Sequence, residues 1–174
     1  ALEGIDFDLV KGEVHALMGE NGAGKSTLSK IISGIYQADG GTMLIEGVQR
    51  SFSNTREAIA HGVSIVTQEF SLLPDFSIAE NIFLTDNRYY KGGFLSDKKS
   101  MANKTVELLG LFGMQNDLDP YEKVERLSVA QMQVIEILKA VSTNAKTIIL
   151  DEPTASLSTR EIEQLFEVVR KLKA

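Results

Sequence analysis

One stretch near the start of the chain constrains its fold more than any other, because it sets glycines, a lysine and a serine at a fixed spacing. The stretch reads Gly19, Glu20, Asn21, Gly22, Ala23, Gly24, Lys25, Ser26 and Thr27. It fits the P-loop pattern of a glycine, four further residues and then Gly-Lys-Ser. The apolar run of residues 14–18 predicts a buried strand before it, and residues 25–35 predict a helix after it. This order of strand, loop and helix is the context that a phosphate-binding loop requires.

The residue types in this loop suit the binding of phosphate groups. Gly22 and Gly24 let the backbone approach a phosphate closely, and the N–H groups at the start of the following helix attract negative charge. Lys25 can reach the β- and γ-phosphates of a nucleotide, and the Ser26 hydroxyl can ligate Mg²⁺. The alternative is a glycine-rich turn that carries a lysine by chance, and the flanking elements argue against it.

Two consecutive acids follow another apolar run. Residues 147–150 predict a buried strand, and Asp151 and Glu152 come directly after it. The carboxyl ends of strands in an open α/β sheet are where ligands bind. We therefore expect Asp151 to hold Mg²⁺, directly or through water, and Glu152 to act as the general base that polarises an attacking water. The alternative is a pair of surface acids at the start of a loop.

Composition excludes several other classes of protein. With 174 residues, of which 43% are hydrophobic and 24% charged, the chain is predicted to form about one globular domain. The net charge of −6 and the pI near 5.0 argue against a general nucleic-acid binder. Because the chain has no cysteine and two histidines, it cannot form disulfides or thiolate metal sites, and a multi-histidine site is not expected.

The hydrophobic pattern predicts a parallel α/β core with a helical insertion. Besides those already named, strands are predicted at residues 5–9, 42–45 and 63–66. Helix starts are predicted at Asn54 and Asp97, and at three capping boxes that begin at Ser77, Ser128 and Ser158. A loop is predicted for residues 86–100. We expect one domain over residues 1–174, with an α/β core formed by residues 1–76 and 143–174 and a helical subdomain formed by residues 77–142.

Three further stretches narrow the class of protein, and each lies at a characteristic place in the chain. Val66-Thr67-Gln68-Glu69 follows a predicted strand, Leu127-Ser128-Val129-Ala130-Gln131 opens a predicted helix, and Ala155-Ser156-Leu157-Ser158 follows the two acids. With the P-loop and the acidic strand end, these motifs resemble those of the ATP-binding cassette (ABC) ATPases in type and order. The stretches at residues 12–17, 79–84 and 151–154 look like the ATPase subunits of monosaccharide importers of the ribose, galactose and xylose type. The chain is most similar to the first cassette of a fused pair.

This resemblance implies a fold, a set of ligands and several residue roles. The implied fold is the ABC type of P-loop NTPase, with a mostly parallel sheet, flanking helices, a small N-terminal antiparallel β part and a helical insertion. The implied ligands are ATP and Mg²⁺. Gln68 would sense the γ-phosphate and Mg²⁺, and Ser128 and Gln131 would contact the nucleotide bound by an opposite cassette. Val129 and Ala130 stand where the family usually has two glycines, so the signature departs from the family pattern here.

The implied function is ATP hydrolysis that drives sugar import, with catalytic roles for Lys25, Gln68 and Glu152. The implied partners are a second cassette, in the same chain or in a dimer, membrane permease subunits and, indirectly, a sugar-binding protein, with no nucleic acid. The implied location is the cytoplasmic face of the cell membrane. The chain begins without a methionine and ends within an amphipathic pattern, so we expect it to be part of a longer polypeptide. The family's adenine-stacking aromatic and switch histidine would then lie outside residues 1–174.

Two other functions remain open from the sequence. One is an ABC protein that acts on ribosomes or DNA, although no zinc module, long coiled-coil insertion or basic linker is visible. The other is a regulatory cassette that binds ATP without turnover, which the presence of Glu152 disfavours. The basic and aromatic residues of the predicted loop 86–100 fit a solvated loop or a contact with the permease better than a nucleic-acid surface.

Overall fold

We analysed a computed structural model, which describes residues 2–91, 95–154 and 157–173. The helices are α1 (Lys25–Ile32), α2 (Thr55–Ala60), α3 (Ile78–Ile82), α4 (Lys98–Leu111), α5 (Val129–Ser142) and α6 (Thr159–Lys173). The strands are β1 (Met43–Ile45), β2 (Val48–Arg50), β3 (Val63–Val66), β4 (Tyr90–Lys91), β5 (Leu95–Ser96) and β6 (Thr147–Leu150). Among these residues no helix has both the length and the apolarity needed to cross a membrane.

A parallel pair of strands, β3 and β6, lies next to the predicted site. Val63 pairs with Thr147 and Val66 pairs with Leu150, so the two strands end side by side. The side chains of Val66 and Ile137 belong to one buried cluster, which also includes Leu165 of α6. Helices from two parts of the chain therefore cover this pair, as a parallel sheet requires. Both strands were predicted from their apolar runs, and both predictions are confirmed.

The first antiparallel hairpin joins β1 to β2. Glu46 and Gly47 connect the strands, and both have positive φ, at 51° and 76°. A two-residue loop with two left-handed residues matches the right-handed twist of paired strands. The strand predicted at residues 42–45 is confirmed from Met43 onward, whereas its partner β2 was not predicted.

A helical region formed by α3, α4 and α5 has its own apolar core. The fully buried members of this core include Ile78, Met101, Leu109, Ile135 and Leu138. The caps predicted at Asn54, Ser77 and Ser128 are confirmed. Ser77 forms a capping box with Glu80, Ser128 forms one with Gln131, and the side chains of Asn54 and Asp97 accept hydrogen bonds from the first turns of α2 and α4. The predicted loop at 86–100 is wrong in part, because it contains a 3₁₀ turn at Asn87–Tyr89 and the short antiparallel pair of β4 and β5.

The two strands predicted before the P-loop are not present. Within residues 2–24, all of which the structure describes, there is no helix or strand. Val14 and Met18 are 58% and 91% exposed, and Phe7 is 38% exposed. A strand needs a neighbouring strand for its hydrogen bonds, and in the described part of the chain β3 and β6 pair only with each other. The apolar run of residues 14–18 therefore forms no strand among the described residues.

Candidate functional site

The P-loop is built around two glycines with left-handed backbone conformations. Gly22 has φ 85° and Gly24 has φ 92°, values that other residues adopt rarely. A Cβ at Gly22 would meet no atom within 4 Å, so the conformation rather than the available space calls for glycine there. Gly24 is the N-cap of α1, and among the described residues no side chain caps that helix. The first N–H groups of α1 are therefore left for an external acceptor.

Lys25 lies across its own loop. Its Nζ donates to the carbonyl oxygens of Gly19 at 2.8 Å and Glu20 at 2.9 Å. The ammonium group is thus held beside the loop by backbone oxygens. An anion bound by the amides of the loop could take up the remaining donor of this group.

A hydrogen bond joins the loop to the acidic strand end. Ser26 Oγ donates to Asp151 Oδ1 at 3.0 Å, across 125 residues of sequence. Both groups are partly buried. The Asp151 N–H in turn donates to the carbonyl of Val66 at 2.9 Å, which fixes the acid to the end of β3. The structure therefore brings together two residues that were predicted separately as Mg²⁺ ligands.

Gln68 and Glu152 each follow a residue that holds this strand end in place, Val66 and Asp151. Gln68 follows the end of β3 by two residues, and Glu152 follows Asp151 directly, so both lie just beyond the same edge of the strand pair. Both side chains are exposed. Glu152 has φ 50°, an uncommon conformation for a residue other than glycine. Strained backbone of this kind is concentrated at functional sites.

The oxygen ligands offered here suit magnesium. A serine hydroxyl, a carboxylate and a nearby amide are hard oxygen donors, and Mg²⁺ is usually bound by one or two carboxylates together with water and substrate phosphates. In the described part of the chain no cluster of three or more histidine, cysteine or acidic residues could hold a metal.

Ser128 and Gln131 lie at a second site, the start of α5. The Ser128 N–H donates to Gln131 Oε1 at 2.8 Å, and the Gln131 N–H donates to Ser128 Oγ at 3.3 Å. Among the described residues no hydrogen bond connects this helix start to the P-loop. The structure therefore does not unite these two residues with the rest of the predicted site. Ala155 and Ser156, part of another predicted motif, lie outside the described residues.

Sequence reasoning missed one buried acid. Glu136 is 6% exposed, and its carboxylate accepts hydrogen bonds from Ser71, in the segment after Gln68. The available signal was an acid within the apolar run of residues 134–138. Sequence reasoning also missed the role of Asn81, which is fully buried and binds the backbone of Leu73 through both its amide oxygen and its amide nitrogen.

Comparison with known proteins agrees with this geometry. The ABC transporter family model matches residues 2–155. A ribose import ATP-binding protein of Streptomyces avermitilis is 47% identical over 173 residues, which are 99% of this chain and 32% of that protein. Another, of Burkholderia thailandensis, is 50% identical over 174 residues, or 99% of this chain and 34% of that protein. The chain thus spans about a third of the length of these relatives.

Solved structures of similar fold are also ATP-binding cassettes. An ATP-binding cassette of an ABC transporter in its ADP conformation has a TM-score of 0.78 and 28% identity, covering 94% of this chain and 66% of that one. A dimeric cassette in a post-hydrolysis state, bound to ADP and Pi, has a TM-score of 0.76 and 25% identity, covering 96% and 72%. The predicted α/β fold of a P-loop cassette is thereby confirmed. The chain belongs to the ABC transporter family.

Proposed function

We propose that this chain is the ATP-binding part of a sugar importer and that it hydrolyses ATP to drive import. The observation that carries this proposal is the 3.0 Å hydrogen bond from Ser26 Oγ to Asp151 Oδ1. It joins a loop suited to phosphate with a strand end that carries a candidate base. The sugar is proposed because the relatives reported above are named as ribose import ATP-binding proteins.

Phosphate binding would rest on residues 19–27. The uncapped start of α1 and the left-handed glycines leave backbone N–H groups for the phosphate oxygens. Lys25 would turn from the carbonyls of Gly19 and Glu20 toward the β- and γ-phosphates. It would stabilise the negative charge that develops during phosphoryl transfer.

Mg²⁺ would be held by Ser26, Asp151 and Gln68. When bound, the ion neutralises charge on the phosphate oxygens. Glu152, the next residue after Asp151, is exposed and can take a proton from a water molecule near the γ-phosphate. Gln68 would orient that water from the end of the neighbouring strand, β3.

A second cassette would complete the site. We propose that Ser128 and Gln131 contact the nucleotide bound by that partner, with α5 directing its N-terminal dipole at the γ-phosphate. The solved dimeric relative supports pairing of cassettes. Residues 77–142 would form the helical subdomain, and residues 1–76 and 143–174 the catalytic core. Permease subunits, an indirectly coupled sugar-binding protein and a position at the cytoplasmic face of the membrane belong to the same proposal.

The test is steady-state phosphate release by the complete transporter, with and without Glu152→Gln. Glutamine keeps the shape of glutamate but cannot accept the proton, so ATP should still bind while turnover falls by about 10²- to 10⁴-fold. The matched control is Glu167→Gln on α6, an exposed acid paired with Arg170. Its turnover should equal that of the wild type.

Two results would contradict the proposal. If Glu152→Gln hydrolyses ATP at the wild-type rate, Glu152 is not the base. If the wild-type transporter binds ATP without turnover, the chain is a regulatory cassette rather than an ATPase.

A further inference from the structure

We propose that Glu136 is a positioning residue that fastens the chain segment around Gln68 to helix α5, so that the two move together during ATP hydrolysis. We call residues 67–72 the glutamine segment. The expected effect on catalysis rests on the proposed function, whereas the structural link between Glu136 and Ser71 is independent of it.

The first argument is the cost of placing this acid where it is. Glu136 is 6% exposed and lies between Ile135 and Ile137, both fully buried. A buried carboxylate is unfavourable unless hydrogen bonds and a counter-charge compensate for lost water. An apolar side chain would fill this position more cheaply, so the acid has a use beyond packing.

The partners of Glu136 all come from one residue of the glutamine segment. Its Oε1 accepts hydrogen bonds from the Ser71 backbone N–H and from Ser71 Oγ, the latter at 2.9 Å. Lys139, one turn further along α5, donates from Nζ to the same Oγ at 2.9 Å. The Ser71 hydroxyl thus donates to the acid and accepts from the lysine, so it joins the two side chains of α5.

The glutamine segment is held to α5 from both sides. Val66, which precedes it, shares a buried cluster with Ile137, and Ser71, near its end, binds Glu136. Gln68 lies between these two anchors and its side chain is exposed. A shift of α5 must therefore move both ends of the short span that carries Gln68.

Helix α5 leads from this link to the second predicted nucleotide contact. Ser128 caps its start, and Glu136 is eight residues further on, about 12 Å along the axis at 1.5 Å per residue. A helix of this length behaves as one rigid element. Glu136 therefore connects Gln68 at one nucleotide with Ser128, which we propose contacts the other.

A buried polar side chain, that of Gln133, lies one turn before Glu136 on α5. Gln133 is 7% exposed, and its Nε2 has no hydrogen-bond partner within the described residues. Gln133, Glu136 and Lys139 follow one another at intervals of three and so lie along one side of α5. This side of α5 thus carries three polar side chains, and two of them bind Ser71.

The test uses the complete transporter and the variants Glu136→Gln and Ser71→Ala. Glutamine keeps an acceptor oxygen but a neutral and weaker one, and alanine removes the hydroxyl, so each variant loosens the link. Each should lower kcat by up to about tenfold with little change in KM. In a Gln68→Ala background, where the positioned group is gone, Glu136→Gln should have almost no further effect on kcat. A purely structural role would instead lower kcat by the same factor in both backgrounds, and that result would overturn the proposal.

Hydrogen exchange tests the link without hydrolysis. Glu136→Gln and Ser71→Ala should speed exchange across residues 67–72 by about tenfold while leaving β6 unchanged. Ser71 is exposed, so its variant should fold even if Glu136→Gln does not. The control Glu107→Gln, an exposed acid on α4, should change neither measurement. Unchanged exchange in both test variants would refute the link, whereas a wild type without turnover would refute only the proposed function.

Discussion

Two kinds of helix start occur in this molecule, and they differ in what satisfies their first backbone N–H groups. Helices α2, α3, α4 and α5 each begin behind a side-chain oxygen that accepts a hydrogen bond from the first turn, supplied by Asn54, Ser77, Asp97 and Ser128. Helix α1 begins behind Gly24. Within the described residues no side chain caps it, and its first turn carries no acid.

We propose that this difference separates structural helix starts from a functional one. A side-chain cap typically adds about 1 kcal/mol to the free energy of unfolding, and a helix without a cap lacks that stabilisation. At α1 the same N–H groups lie next to Lys25 and to the contact of Ser26 with Asp151. The arrangement is unfavourable for an isolated helix and favourable for one that binds an anion.

The largest expected effect comes from giving α1 an acidic cap. Gly24→Asp would set a carboxylate at the proposed phosphate position, and two unit charges about 4 Å apart near a protein surface repel by about 4 kcal/mol. We expect ATP affinity, measured by calorimetry, to fall at least about a hundredfold, which corresponds to about 2.7 kcal/mol. Gly24→Asn is the matched control, because it has the same size and backbone preference without the charge. Equal affinities of the two variants would show that charge at this helix start does not matter.

Removing the lysine should have the next largest effect. Lys25→Ala deletes charge-assisted hydrogen bonds worth about 1.5–3 kcal/mol each, so the dissociation constant of ATP should rise at least about tenfold. The control is Lys30→Ala, on the same helix but near its other end, where the ammonium lies over the ring of Tyr36. If titration calorimetry gives the wild-type constant for Lys25→Ala, the P-loop assignment is wrong.

Local sequence signals predicted most of the helices, because the cause of a helix start lies within four residues. Ser77 with Glu80 and Ser128 with Gln131 each form the reciprocal pair that their spacing predicts. The contact between Ser26 and Asp151 was also within reach, since each residue follows from its own motif. Because both were predicted as ligands of one Mg²⁺ ion, they were expected to lie close together.

Pairing between distant segments could not be predicted in the same way. Residues 5–9 and 14–18 have the apolar pattern of strands, yet Leu17 and Met18 are exposed because no described strand pairs with them. The short hairpin of β4 and β5 lay within a stretch predicted as a loop. The bond between Ser71 and Glu136 was missed for the same reason, because neither residue belongs to a motif whose spacing identifies its partner.

Removing a structural cap should destabilise the fold without changing nucleotide binding. Ser77 Oγ accepts from the Glu80 N–H at 3.2 Å and Glu80 Oε2 accepts from the Ser77 N–H at 3.0 Å. Ser77→Ala should lower the free energy of unfolding by about 1 kcal/mol, measured by urea denaturation. Ser77→Thr keeps the hydroxyl and should be close to the wild type. A Ser77→Ala protein with full stability but weaker ATP binding would reverse the distinction drawn between the two kinds of helix start.

The smallest expected effect concerns the dependence of stability on pH. The Lys98 ammonium, 2.8 Å from the Glu80 carboxylate, lowers the pKa of Glu80 to about 2, with help from the N–H and hydroxyl of Ser77. Because the pKa is lower in the folded state, this carboxylate stabilises the fold above its ordinary pKa of 4.5. That contribution is lost as the pH falls from 4.5 toward 2.

Glu80→Gln should therefore be less stable than the wild type at neutral pH, by about 1 kcal/mol or less because Lys98 is largely exposed. The difference should shrink as the pH falls toward about 3, where the unfolded chain already binds the proton. Thermal unfolding of both proteins across this range measures it. Glu107→Gln, which breaks an exposed pair with Lys104, is the control. Its stability should change with pH in nearly the same way as that of the wild type. A constant gap between Glu80→Gln and the wild type would mean that Glu80 stabilises α3 through its neutral hydrogen bonds alone, and that charge matters at the start of α1 but not at the start of α3.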